Sequence, residues 1–156
     1  MVRFHTNGGN ILKSNSSKEM KRYNHLHGEI DATYHDASLK FGVSDSVLKI
    51  LYTISSFGGS FLLNDICRYS GLSKQTVNSA IRNLEIDDII YLEAVDGKSK
   101  RVCLTEKGKQ VTENTAYLLI QAENAIFDSW STEDVQKYLE LTERFLISLK
   151  DKVDQM

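Results

Sequence analysis

LSKQTVNSAIRNLE, residues 72–85, decides the fold. Val77, Ala80, Ile81 and Leu84 recur at i, i+3, i+4 and i+7, a single apolar stripe, while Gln75, Asn78, Ser79 and Arg82 share the opposite side of the same helix. Ser73 is placed as the N-cap, so free backbone N–H groups and the positive dipole end lie beside that polar side, an arrangement suited to phosphate. Amides pair with adenine and guanidinium with guanine. A merely solvated face of an amphipathic helix stays open on this stripe alone.

Outward from the helix, the neighbours favour the base-reading alternative. Upstream, LLNDICRYSGLS (62–73) supplies a partner helix in which Asn64 is the expected cap and Ile66 with Tyr69 or Ser70 the inward face. Cys67 falls where crossing helices leave room for a small side chain, and Gly71 suits the left-handed residue of a tight turn. Downstream, IIYLEAV (89–95) alternates, meets Asp96-Gly97, and returns as RVCLT (101–105), a hairpin whose Val102 and Leu104 share one face. Lys98, Ser99, Lys100 and Arg101 make its tip basic, in position to reach phosphates or a minor groove beside the helix.

The stretches SGLSKQTVNSAIRNLE (70–85) and DGKSKRVCLTEKG (96–108) resemble the DNA-binding core of MarR-family transcriptional regulators. That family's wing commonly carries Asp, any residue, then Arg, followed by Leu-Thr and a Gly three residues after the Thr; Asp96, Leu104, Thr105 and Gly108 match. Lys98 stands where Arg is usual and keeps the charge without the planar fork. Asp88 stands where related sequences often have Gly, and Asp tolerates a left-handed backbone better than most residues. The resemblance spans roughly Ser16 to Val153.

The flanking segments fit a mainly α protein. Proline is absent, which permits long uninterrupted helices. Ser16-Ser17-Lys18-Glu19 has the form of a capping box, after which Met20, Tyr23, His27, Ile30, Tyr34, Ala37 and Phe41 form one helical seam. Gly42 ends it and Ser44 caps the next helix, with Val43 and Leu48 as a hydrophobic staple and Val47, Leu48, Leu51 and Ile54 inward. Phe57-Gly58-Gly59-Ser60 is a turn into the helix-turn-helix. After the wing, Thr105 caps one long helix through Val111, Leu118, Leu119, Ala122, Ile126 and Trp130; Ser131 with Asp134 restarts the chain, and Val135 to Val153 form a last seam.

The expected architecture is mainly α with a small β-hairpin wing: a winged helix-turn-helix core flanked by long N- and C-terminal dimerisation helices. Residues 1–15 are a basic arm and 16–156 a single domain, with 44–108 the winged core and 16–42 and 109–156 mainly dimerisation helices. The two terminal seams are longer than so small a core covers, which points to a second subunit. The family resemblance implies the same, with first and last helices interlocking. Such a two-fold dimer would set two recognition helices in successive major grooves of double-stranded DNA, on a roughly palindromic operator.

Composition narrows the setting. The 156 residues, 41% apolar, suffice for one domain with its own core. No run of eighteen apolar residues occurs, no signal-peptide pattern opens the chain, and two cysteines are no disulfide framework, so a cytoplasmic, non-membrane protein is expected. The net charge of −2 is low for a nucleic-acid binder. Its distribution matters more, since basic residues gather at the N-terminus and wing while the C-terminal third is acidic.

The expected DNA-binding set is Ser73, Lys74, Gln75, Thr76, Asn78, Ser79 and Arg82 on the helix, with Lys98, Lys100 and Arg101 on the wing. The resemblance also implies a small organic effector in a cleft between the dimerisation helices and the winged unit, and Tyr23, Tyr34, Tyr52, Phe57 and Tyr117 are candidates to line it. No cofactor, metal or enzymatic activity is expected, since no phosphate-binding glycine loop, nucleophile elbow or HExxH motif occurs. The alternatives are a metal-sensing variant through His27, Asp31 and His35, a redox-sensing one through Cys103, and a winged-helix interaction module that binds protein rather than DNA.

Overall fold

The computed structural model describes residues 16–156, so the N-terminal basic arm lies outside the described residues. In chain order the elements are α1 (Lys18–Phe41), α2 (Asp45–Ser56), β1 (Ser60–Leu62), α3 (Leu63–Ser70), α4 (Lys74–Ile86), β2 (Ile90–Ala94), β3 (Lys100–Leu104), α5 (Glu106–Glu113), α6 (Ala116–Asp128) and α7 (Thr132–Asp154). This is the expected winged helix-turn-helix between long terminal helices.

The caps explain most boundaries. Ser17, Ser44, Ser73, Thr105 and Ser131 each accept a backbone N–H in the first turn of the helix they precede. Gly42 and Gly71 end α1 and α3 in the left-handed region, both at φ 69°. Asp88 takes the same conformation at φ 57°, as its place between α4 and the wing requires of a non-glycine residue.

The core lies within the winged unit. Ile50, Leu51 and Ile54 of α2, Ile66 of α3, Val77 and Ile81 of α4, and Val102 of β3 are all but fully buried together. The sheet is antiparallel with strand order β1-β3-β2, Phe61 and Leu92 flanking Val102 on its inward side. Gly108, in the first turn of α5, lies against the backbone of Ile89, where an added Cβ would meet the carbonyl oxygen at 1.9 Å. The glycine of the wing motif is thus a packing requirement.

Four expectations need correction. Ser17 caps α1 by accepting the Met20 N–H, so Ser16 and Glu19 do not make the capping box. Phe57 to Ser60 is not only a turn, because Ser60–Leu62 pairs with Arg101–Cys103 as a third strand. That strand runs straight into α3, which begins at Leu63 without a side-chain cap, so Asn64 does not cap it. Of the two residues offered beside Ile66 for the inward face of α3, the half-buried Ser70 takes that place, while Tyr69 is 56% exposed among Phe57 and Phe61. The helix after the wing is broken into α5 and α6: Thr112 and Thr115 hydroxyls and the Asn114 amide donate to the carbonyls of Lys109, Val111 and Gln110, and Ala116 is drawn fully into the core. Beyond the break, α6, α7 and most of α1 carry apolar side chains that a single chain leaves open, including Leu26, Ile30, Ile126, Leu139 and Leu146, as does Trp130 in the turn between α6 and α7.

Candidate nucleic-acid interface and adjoining cleft

The apolar stripe of α4 fixes what its other side presents. Val77, Ala80, Ile81 and Leu84 are buried, which leaves Lys74, Gln75, Asn78, Ser79 and Arg82 exposed on one surface. Ser73 Oγ accepts the Thr76 N–H at 3.1 Å and lies 2.8 Å from Thr76 Oγ1, so the pair shapes the first turn. The remaining N–H groups of that turn point out beside Lys74, the geometry that receives an anion. Donors and acceptors on a projecting helix, rather than acids, suit a groove lined with base edges.

At the wing, Asp96 Oδ1 accepts the N–H groups of Lys98 at 2.8 Å and Ser99 at 2.7 Å. These backbone bonds hold its carboxyl below the ordinary Asp range. They also fix the tip from which the exposed Lys98 and Lys100 project. Arg101 is less free than expected. It is half-buried on β3, and its Nη1 donates a long bond to Ser60 Oγ at 3.5 Å, because the unexpected strand β1 lies alongside.

A second groove, about 330 Å³, runs between the start of α2 and the polar side of α4, lined by Ser44, Ser46, Val47, Gln75, Thr76, Ser79, Ala80 and Asn83. Ser44, Ser46 and Asn83 were not among the expected interface residues. Their signal was Ser44 itself: a helix cap two residues before another serine puts hydroxyls and free N–H groups together.

The larger cleft, about 500 Å³, opens on the other side of α2 between α1, α3 and α6. Of the five expected aromatic lining residues, Tyr34 and Tyr52 are in it. Tyr23 lies three turns before Tyr34 on α1 and packs on His27 and Phe145 instead, at ring distances of 4.5 and 4.9 Å. Phe57 leaves α2 to stack on Phe61 at 4.4 Å. Tyr117, two residues before the lining Leu119, falls on another side of α6 and is exposed.

Both phenols in the cleft donate to one carboxylate: Tyr34 to Glu123 Oε1 and Tyr52 to Glu123 Oε2. Burial, then these bonds and the carboxylate's charge, push the Tyr34 phenol up to about 12 and Tyr52 still higher, so both remain neutral donors at neutral pH. Glu123 is not among the expected lining residues, although its spacing from Ala116 and Leu119 puts an acid on the inward stripe of α6.

Beside the cleft, Asp45 Oδ1 accepts the hydroxyl of the buried Ser38, and His35 Nδ1 lies 2.9 Å from Asp45 Oδ2. The Ser38 bond first, then His35, holds the Asp45 carboxyl low. This cross-link draws His35 toward α2, while His27 packs at a tilt on Tyr23, so the trio with Asp31 is not gathered. Among the described residues no three His, Cys, Asp or Glu side chains converge as metal ligands. Cys103 faces away from Val102 as expected but is buried, its Sγ 3.9 Å from Glu93 Oε2. Nor is any helix among the described residues long and apolar enough to cross a membrane.

Comparison with known proteins agrees with this geometry. Residues 41–101 match the model of the MarR family. No curated protein matches the chain. Among solved structures, the fold is similar to that of NMB1585, a MarR family regulator from Neisseria meningitidis, at 14% identity and a TM-score of 0.78 over 89% of this chain and 99% of that one. It is also similar to S. aureus MepR in its DNA-binding conformation, at 20% identity and a TM-score of 0.70 over 85% and 99% of the two chains. NadR in complex with 4-hydroxyphenylacetate shares the fold at 12% identity, with a TM-score of 0.66 over 86% and 96%.

Proposed function

We propose, for a chain whose residues 41–101 match the model of the MarR family, that it is a sequence-specific double-stranded DNA-binding transcriptional regulator, a homodimeric cytoplasmic repressor released by a small molecule and without enzymatic activity. The observation that carries this reading is the exposed amide, hydroxyl and guanidinium surface of α4, backed by four buried apolar residues and flanked by the basic tip of the wing. Gln75, Asn78, Ser79 and Arg82 meet base edges, Ser73, Lys74 and Thr76 the phosphates entering the groove, and Lys98 and Lys100 the flanking backbone or minor groove. Arg101 braces the wing against β1 more than it reaches outward.

Support for the two-fold assembly is the apolar surface of α1, α6 and α7, which a second copy would cover; α7 has no buried residue in the single chain. Residues 16–42 and 109–156 serve that interface and 44–108 the DNA. Support for release by a ligand is the cleft beside α2, and the NadR fold is known with an aromatic ligand. The reading is tested by footprinting the purified protein, its dimeric state checked by light scattering, on DNA flanking its own gene. A protected, roughly palindromic site with half-sites about one helical turn apart supports it. No protection there and no enriched sequence in random-site selection at low salt would overturn it.

A further inference from the structure

The cleft beside α2 has a definite chemical character. Its lining includes three carboxylates, Asp31, Asp45 and Glu123, against one ammonium, Lys49, and three phenol rings, Tyr34, Tyr52 and Tyr69. Asp45 is already engaged by Ser38 and His35, and the carboxylate of Glu123 is held between two neutral phenols rather than by a cation. An anionic guest entering this space meets acid on α1, α2 and α6 with Lys49 as the one strong counter-charge of the lining. A positively charged guest finds a carboxylate awaiting a counter-ion and aromatic rings that favour cations.

We propose that the cleft between α1, α2, α3 and α6 takes an aromatic organic cation, with Glu123 as its counter-ion and the rings of Tyr34, Tyr52 and Tyr69 as its walls. This inference rests on the regulator reading for its consequence, since the guest would act as the effector, but its binding is independent of DNA. Because Tyr34 on α1 and Tyr52 on α2 both bond to Glu123 on α6, a cation at that carboxylate competes for the acceptor that ties the winged core to the terminal helices. The chemistry thereby names what the ligand must disturb.

The test is calorimetric titration of the full-length protein with two cations, benzyltrimethylammonium and tetraphenylphosphonium, beside the neutral isostere neopentylbenzene and the anions tetraphenylborate and 4-hydroxyphenylacetate. At least one cation should bind saturably and at least tenfold more tightly than its neutral or anionic counterpart. Glu123→Gln should reduce that binding about tenfold, the scale of one ion pair at a half-exposed site. Asp31→Asn, at an exposed position, should reduce it less and serves if the first variant misfolds. Absence of binding by both cations up to millimolar concentration, or equal or tighter binding of the anions, would overturn the assignment. Operator DNA binding, followed in parallel by fluorescence anisotropy, separates the two readings. Cation binding without any operator binding would defeat the regulator reading and leave the site, whereas operator binding without cation binding would defeat the site alone.

Discussion

Replacing Gly108 by Ala sets helix propensity against packing, and the structure gives the sign. Within a helix Ala is about 0.8–1 kcal/mol more favourable than Gly. At position 108, however, the new Cβ would lie 1.9 Å from the Ile89 carbonyl oxygen, 3.0 Å from its carbonyl carbon and 3.3 Å from Leu104 Cδ2. Carbon–oxygen contacts settle near 3.3–3.6 Å, so backbone must move by roughly 1.4 Å. That carbonyl is anchored, accepting the Thr105 N–H at 3.0 Å and the Thr105 hydroxyl at 3.2 Å. Disrupting both bonds costs about 1 kcal/mol each, and crowding adds about 1–3 kcal/mol. After the propensity gain is subtracted, a net loss of about 2–4 kcal/mol is expected.

Urea unfolding at fixed protein concentration measures it, because oligomer stability depends on concentration. Gly28→Ala is the matched control: Gly28 is on the exposed side of α1 with nothing within 4 Å of an added Cβ, so the same change there should stabilise by up to about 1 kcal/mol. A Gly108→Ala protein as stable as wild type would show that α5 slides freely over Ile89, and the packing account of the motif glycine would be wrong.

At the α4 surface, Arg82→Ala should lose about 1–3 kcal/mol on operator but little on random DNA, whereas Lys100→Ala should weaken all sequences and reduce the salt slope by about one, both read by anisotropy titrations over a salt series. Asp88→Gly should stabilise by up to about 1 kcal/mol in urea, since φ 57° strains Asp and not Gly, and Asp88→Ala should destabilise by a similar amount. The Asp45 carboxyl is held low by Ser38 and His35, so its contribution is present above the unfolded Asp pKa near 4 and is lost as pH falls through the lower folded value. Melting curves of wild type and Asp45→Asn should therefore differ at pH 7 and converge in acid; a gap unchanged at pH 2 would contradict the cross-link.

What could be read from sequence was what repeats or caps. The α4 stripe, the serine and threonine caps and the left-handed Gly42, Gly71 and Asp88 are local rules, and each is in place. The misses depend on partners distant in the chain. Three residues, Ser60–Leu62, are too short for alternation to announce a strand, and only their pairing with β3 makes them one. The break between α5 and α6 follows from threonine and asparagine side chains taking helix carbonyls, which apolar spacing alone does not register. The cleft was hardest, because aromatic residues mark cores as well as pockets: Tyr34 and Tyr52 are in it, Tyr23 and Phe57 serve packing, and its central acid was passed over.

The placement of α2 explains how a guest in one cleft would bear on the DNA surface. Asp45, Leu48, Lys49, Tyr52 and Thr53 line the larger cleft, while Ser44, Ser46 and Val47 line the groove against Gln75, Thr76 and Ser79 of α4. One helix of twelve residues therefore walls both spaces, with Ile50, Leu51 and Ile54 locking it into the core between them. Close-packed cores resist gradual deformation, so α2 moves as a body with its contacts or not at all. Loss of the Tyr34–Glu123 and Tyr52–Glu123 bonds removes the polar links from α1 and α2 to Glu123, while the apolar packing of α2 on α4 and on Ala116 and Leu119 of α6 stays intact. The expected consequence of a bound cation is thus a displacement of α2 and α4, together with the Ala116 end of α6 packed on them, against α1 and the outer part of the terminal helices. In a dimer held by those helices, that displacement changes the spacing of the two recognition helices, the quantity on which simultaneous binding to successive major grooves depends.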